Sequence, residues 1–173
     1  MLPLNSETLR DFLADVFFTE EDKEALLKYI VPLQGNWWVP TEEDNEKIST
    51  WIGYNIVTDE SYLRARYIEN DTGYVLLQTC LAKVHLQFIG KEAEKLAKSV
   101  FFWDERMDVA EALHRFAGQL MYEKRRIIPT PYYQDGQNTT LAQNIDFRFL
   151  HAEVIDPRQA KLIGVEVSGE VIV

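Results

Sequence analysis

The sequence predicts an α+β fold: a mostly antiparallel β-sheet flanked by helices, with an N-terminal helical pair and a long loop. Three observations predict it. Apolar residues recur at helical spacing near the start and again in the middle of the chain. Residues 84–88 and 145–149 alternate between apolar and polar, the period of a strand. Turn residues separate the strand-like stretches by hairpin-length gaps, which favours antiparallel pairing with helices packed against the sheet. At 173 residues the chain has the length of one domain with its own core. Residues 1–173 are therefore expected to fold as a single domain, with 1–31 a helical pair, 32–50 a loop or arm, and 51–173 a sheet with two inserted helices.

Taken in order, the elements read ααβββααβββ. Asn5 and Ser6 offer an N-cap, and Leu9, Phe12, Leu13, Val16 and Phe17 then form one apolar stripe. Thr19 followed by Asp22 resembles a capping box, and Leu26, Leu27, Ile30 and Val31 give a second stripe that Pro32 ends. Residues 32–50 hold two prolines, a glycine, several acids and the pair Trp37 and Trp38, so they read as a long loop. Strands are expected at 51–57, 62–69 and 74–89, with a turn at 70–73 and a bend or bulge near 80–83 in the third, which is long for one strand. Gly90 breaks that strand, and Ala93, Leu96, Ala97, Val100 and Phe101 continue at helical spacing. Val109, Leu113, Phe116, Ala117 and Leu120 predict a second helix ending between residues 118 and 123. The two prolines of 127–133 favour an extended segment, and residues 134–140 form a polar loop around Asp135-Gly136. Two closing strands follow, one through Ile145, Phe147 and Phe149 and one through Ile163, Val165 and Val167.

Composition narrows the function more than any motif does. With 18 basic and 28 acidic residues the net charge is −10, which repels nucleic-acid phosphate and disfavours tight general binding, while leaving open a passage through which DNA slides without sticking. The single Cys80 excludes an intrachain disulfide and, by this reading, a thiolate metal site, and points to a reducing compartment or indifference to redox. The opening MLPLNSETLRDFL has no basic n-region and spaces its apolar residues, unlike a signal peptide, and no apolar run approaches the roughly 20 residues that cross a bilayer. The expectation is a soluble, cytoplasmic protein.

Catalytic constellations are weak. His85, His114 and His151 sit on separate elements without metal-ligand spacing and read as surface or boundary histidines. Cys80 and His85 are about 16 Å apart along a straight strand, too far for a nucleophile and its base. Asp146 and Glu153, seven apart, point to opposite faces of their strand, so a carboxylate metal centre has little support. There is no GxSxG, GxGxxG or phosphate loop. The expectation is no enzyme, no catalytic residue, no cofactor and no metal. The basic run Lys124, Arg125 and Arg126 reads either as a solvated element end or as a patch for an acidic partner. Trp37 and Trp38 either fold back onto the core or anchor a partner.

Four stretches carry a likeness: WIGYNIV at 51–57, LAKVHLQFIGKEAEKLAKSV at 81–100, IIPTPYY at 127–133 and the closing EVSGEVIV. In them the chain resembles the tail-terminator and neck proteins of long-tailed bacteriophages. In that family a sheet-opening strand precedes a strand that ends in an aromatic, a glycine and an alanine-bearing helix, here Phe88, Gly90 and Ala93. A second helix and two long strands follow. The resemblance covers roughly residues 50–173 and implies a structural virion protein with no catalytic residues to carry over. It implies a homo-hexameric ring that caps the tail tube, stops its growth and joins it to the head connector or a head-completion protein. The tail sheath is a further partner in contractile phages, and DNA passes through the lumen without specific binding. The implied location is the neck of the virion, after assembly in the host cytoplasm, with no membrane.

On this reading Trp37 and Trp38 anchor a neighbour, Arg125 and Arg126 pair with acids such as Glu42 and Glu43 across an interface, and Tyr132, Tyr133 and Asp135 reach the tube. The alternatives are a different neck, collar or head-completion ring, or a non-catalytic binding or adaptor module, monomeric or dimeric, that uses the Trp37/Trp38 arm.

Overall fold

The computed structural model describes residues 1–33, 50–71, 73–121, 123, 125–134 and 138–155. Most of the expected 32–50 loop and the last expected strand, around Val165, lie outside them. Among the described residues, four α-helices and a mixed, mostly antiparallel sheet of seven strands form the α+β fold that the sequence predicts.

Helix α1 (Ser6–Phe17) begins where expected, because Asn5 and Thr8 cap each other: the Asn5 side chain accepts from the Thr8 amide at 2.9 Å, and the Thr8 hydroxyl accepts from the Asn5 amide at 3.0 Å. Its stripe of Leu9, Phe12, Leu13 and Val16 is buried. Helix α2 (Glu20–Leu26) is shorter than its apolar stripe suggests. The chain leaves it through a single 3₁₀ turn and enters strand β1 (Ile30–Pro32), whose Ile30 pairs parallel with Ile52. Two β-branched residues before a proline suit extended backbone better than the last turn of a helix.

Two long strands organise the rest. β4 (Gly73–Gly90) and β7 (Asn138–Ile155) pair antiparallel from Leu76 opposite Ile155 to Phe88 opposite Gln143. β2 (Thr50–Ser61) and β3 (Arg66–Asn70) lie end to end along the free side of β4. β5 (Gln119–Leu120) and β6 (Ile128–Gln134) lie end to end along the free side of β7. The bulge expected at 80–83 falls on the neighbouring strand instead. β4 runs unbroken, and the register shifts between Ile56 and Thr58, leaving Val57 as the extra residue. A central strand paired on both sides resists the insertion that β2 absorbs.

One face of the sheet carries Ala82, Val84, Leu86 and Phe88 from β4 and Ile145, Phe147 and Phe149 from β7, all buried against helices. Those helices are α1, α3 (Ala93–Ser99) and α4 (Met107–Leu113). At the centre Trp103 meets Phe147 edge-on at 4.9 Å between ring centroids, and Phe12 lies 6.0 Å from Trp103 and 6.4 Å from Phe147. Trp103 comes from the 3₁₀ segment Val100–Glu105; its neighbours Phe101 and Phe102 stay exposed.

Helix α4 ends earlier than its periodicity predicts. The chain passes through one 3₁₀ turn to Ala117 in the left-handed region (φ 48°), and Leu120 joins β5. The stop follows from close packing at Gly118, where a side-chain carbon would meet the Leu150 carbonyl at 3.0 Å and that of Leu113 at 3.1 Å.

Because Phe147 touches three other aromatic rings in a fully buried position, Phe147→Ala should cost about 3–5 kcal/mol in urea unfolding, with little change in the denaturant slope. A loss below ~1 kcal/mol would show that this cluster does not anchor the core.

Candidate functional site

The helix-covered core ends at Ala82 and Phe149, but β4 runs on, from Cys80 back to Gly73, about 23 Å at strand rise. With β3 and the end of β7 it forms a projecting ribbon. By register, Tyr67, Tyr74, Leu76 and Ile155 share one face, and Ile68, Val75, Leu77 and Val154 the other. Tyr67 and Tyr74 are each 65 % exposed and Val154 48 %, while the others are half-buried. Tyr62 and Leu63, at the joint between β2 and β3, add 48 % and 56 % exposure. That joint is pinned rather than loose, since the Thr79 carbonyl accepts from the Tyr62 amide at 2.9 Å and the Gln78 side chain donates to the Leu63 carbonyl. A second hairpin, β6 with the start of β7, projects past Phe88 in the opposite direction.

The other face of the sheet carries a polar network. His85 Nδ1 lies 2.7 Å from Asp146 Oδ1, and Nε2 lies 3.2 Å from Asn144 Oδ1. Asn144 Nδ2 donates to the Ile128 carbonyl and to Thr130 Oγ1, each at 3.0 Å, which fixes the amide oxygen toward His85 and toward Gln87, whose Nε2 donates to it at 3.1 Å. Both ring nitrogens of His85 therefore face acceptors. Lys83 Nζ stands 3.0 Å from Asp146 Oδ2. The hydrogen bond with His85 first, and that with Lys83 after it, hold the Asp146 carboxyl below the usual carboxylate range against the opposing effect of partial burial. Beside this network a cleft of about 260 Å³ is lined by Lys83, Arg126, Arg148 and Glu123 among others, a locally basic spot in an acidic molecule. Arg148 pairs with Glu123 at 3.3 Å; Arg126 has no ion-pair partner among the described residues.

A third cluster closes the helix side of the sheet. Cys80 on β4 faces His151 on β7, and Asp59 on β2 approaches both, with the ligand atoms of the three within 4.8 Å of one another. His151 Nε2 lies 2.7 Å from Asp59 Oδ1. Burial, and then the charges of Asp59 and Glu153, push the Cys80 thiol up to about 11, so at neutral pH it is protonated and a poor nucleophile.

The structure separates the residues that the sequence singles out. Trp37, Trp38, Glu42, Glu43 and Asp135 lie outside the described residues. Arg125 is not offered to a neighbour: its side chain is 2 % exposed and donates to the Val100 carbonyl at 2.8 Å and to Asp104 Oδ2 at 3.1 Å. Arg126 is exposed at the cleft. Tyr132 and Tyr133 lie in β6, opposite Thr140 and Thr139, on the second projecting hairpin. Asp146 and Glu153 do take opposite faces of β7, as their spacing implies. The sequence predicts the hairpin of the ribbon, strands at 62–69 and 74–89 around a turn at 70–73, but not its projection beyond the core, and it does not bring Asp59, Cys80 and His151 together. The apolar run at 74–77 marks the hairpin strand, whereas the convergence depends on a register between distant strands. No protein-family model matches the chain, and no curated protein matches it in sequence. Among the described residues, no helix is long and apolar enough to cross a membrane.

The sign of the Asp146 shift fixes a pH dependence. A carboxyl with a depressed native pKa contributes stability that is complete above its unfolded value of about 3.9 and is lost as pH falls through the native value. Wild type should therefore exceed Asp146→Asn in urea unfolding near pH 6, and the difference should shrink as pH drops from about 5. A difference that grows on acidification would contradict the pairing.

Proposed function

We propose that this chain is a ring-forming structural subunit of a phage neck, a tail terminator that caps the tail tube and joins it to the head connector. The observation that supports an assembly role is the projecting ribbon, which carries apolar side chains on both faces, with Tyr67 and Tyr74 largely exposed. An apolar surface of this kind on a soluble chain marks a contact site. Two different faces to cover favour a head-to-tail contact, the type that closes into a ring, over one self-complementary patch. The second hairpin extends the opposite end of the subunit toward a further neighbour. The charged cleft adds Arg126 as a cation for an acidic surface, as the net charge of −10 provides on another copy.

The specific assignment to the neck rests on the resemblance of residues 50–173. The role needs no catalytic group. Acidity of the chain as a whole suits a lumen through which DNA passes without adhering.

Light scattering after size exclusion, with and without purified tail tubes and followed by negative-stain imaging, tests the reading. The expected result is a hexameric ring, or subunits collected at one end of each tube. Tyr67→Ser combined with Tyr74→Ser should abolish that assembly while leaving the thermal midpoint unchanged within about 2 °C, since both side chains are exposed. A monomer or dimer that ignores tubes would overturn the terminator reading in favour of a binding or adaptor module.

A further inference from the structure

On the helix side of the sheet, the inward-facing positions of β4 and β7 run apolar as far as Ala82 and Phe149, and the next pair is Cys80 and His151, 4 % and 3 % exposed. Asp59, on β2, is registered with Ala82 and reaches across to His151. Glu153, next along that face of β7, brings Oε2 to 3.8 Å from Cys80 Sγ. Three neighbouring strands thus deliver sulfur, nitrogen and oxygen ligands to one spot at the boundary between the core and the ribbon.

Several features of this spot call for a cation. Two carboxylates flank a buried thiol, and among the described residues no Lys or Arg stands within ion-pair distance of Asp59 or Glu153. His151 is held at Nε2 by Asp59, while its Nδ1 is buried without a hydrogen-bond partner. A buried polar nitrogen without a partner is costly, and no described residue offers it one. The Asp59 carboxylate is 33 % exposed, which gives an ion a route from solvent. Mixed S, N and O donors suit zinc, whereas magnesium and calcium take oxygen ligands.

We propose that Asp59, Cys80 and His151 bind a zinc ion, with Glu153 as the fourth ligand. The ion ties β2, β4 and β7 together at the base of the ribbon. Formation of the zinc–sulfur bond releases the Cys80 thiol proton to solvent, and the two positive charges of the ion offset the flanking carboxylates of Asp59 and Glu153. Neutral His151 supplies a nitrogen lone pair, its single N–H remaining on the other ring nitrogen. The inference is independent of the assembly role, because it depends on the cluster alone.

The test uses the full chain, stripped with a chelator and titrated with zinc chloride, cobalt chloride or magnesium chloride. Zinc at about a hundred times its Kd should raise the thermal midpoint by roughly 5–10 °C, and magnesium should not. Cobalt should give the near-ultraviolet absorption of a cobalt–thiolate bond, and zinc should release protons measurable in weakly buffered solution. Cys80→Ser should remove the cobalt–thiolate band. Asp59→Asn, at the exposed ligand and so less disruptive to folding, should weaken zinc binding by more than about 100-fold, beyond the loss expected of a supporting partner. Absence of a zinc-dependent shift in wild type, or an undiminished shift in a folded Asp59→Asn or Cys80→Ser variant, would overturn the site.

Discussion

The pairing of β4 with β7 is the constraint on which the rest of the structure depends. These strands exchange hydrogen bonds from Leu76 to Phe88, and that register alone decides which side chains meet across the sheet. It puts Val84 against Phe147 and Leu86 against Ile145 on the helix side, and His85 against Asp146 on the other. A slip by one residue would turn Phe147 and Phe149 out of the core and drive Asp146 and Arg148 into it, so burial of the aromatic face enforces the register strongly. The neighbours inherit it. β2 and β3 read it from β4, β5 and β6 read it from β7, and the helices cover the stretch where both long strands are apolar on the same side.

The helices are too short to cover strands of this length. α3 and α4 have seven residues each, about 10 Å of helix, whereas β4 and β7 have eighteen each, close to 60 Å when extended. Among the described residues, the mismatch divides the sheet into a covered body and two ends without helices over them. At one boundary the interior changes from Phe149 to His151 and from Ala82 to Cys80, and the polar cluster forms there because the apolar cover stops. Gln78 marks the same transition, buried but bonded to the carbonyls of Leu63 and Thr79. The body is thus specified by packing, the boundary by polar contacts, and the ribbon beyond by pairing with its neighbours in the sheet.

Much of the body is legible in the sequence, because local signals and tertiary demands agree there. The Asn5 cap, the Leu9–Phe12–Leu13–Val16 stripe and the alternations of 84–88 and 145–149 all fix their elements at the expected places. Disagreement arises where one signal fits two structures. Ile30 and Val31 continue a helical stripe, yet they are also good strand residues before a proline, and the edge of β2 decides the matter. Leu120 fits the period of α4, but Gly118 packs too close to the Leu150 carbonyl for the helix to continue. The Asp59, Cys80 and His151 convergence is beyond any spacing rule, because its members are 21 and 71 residues apart in sequence. The same is true of Arg125: three consecutive basic residues suggest a surface patch, and only the packing of Val100 and Asp104 beside it shows that one is internal.

Among the described residues, the edges of the sheet constrain how copies could associate. β1 is three residues long and ends in Pro32, and β6 carries Pro129 and Pro131, which two-residue spacing places with both ring nitrogens on the side away from β7. Asp59 and Glu60 on the uncovered end of β2, and Arg66 and Glu69 on β3, put charge along the remaining edge. Short strands, prolines and charges all discourage addition of a further strand. The proposed assembly would therefore be steered away from edge-to-edge sheet extension, which has no natural stopping point, and toward contacts through the faces of the ribbon, where Tyr67, Tyr74 and Val154 supply apolar area. Face contacts fix both the distance and the angle between neighbours through side-chain packing, and a fixed angle is what allows a head-to-tail arrangement to close.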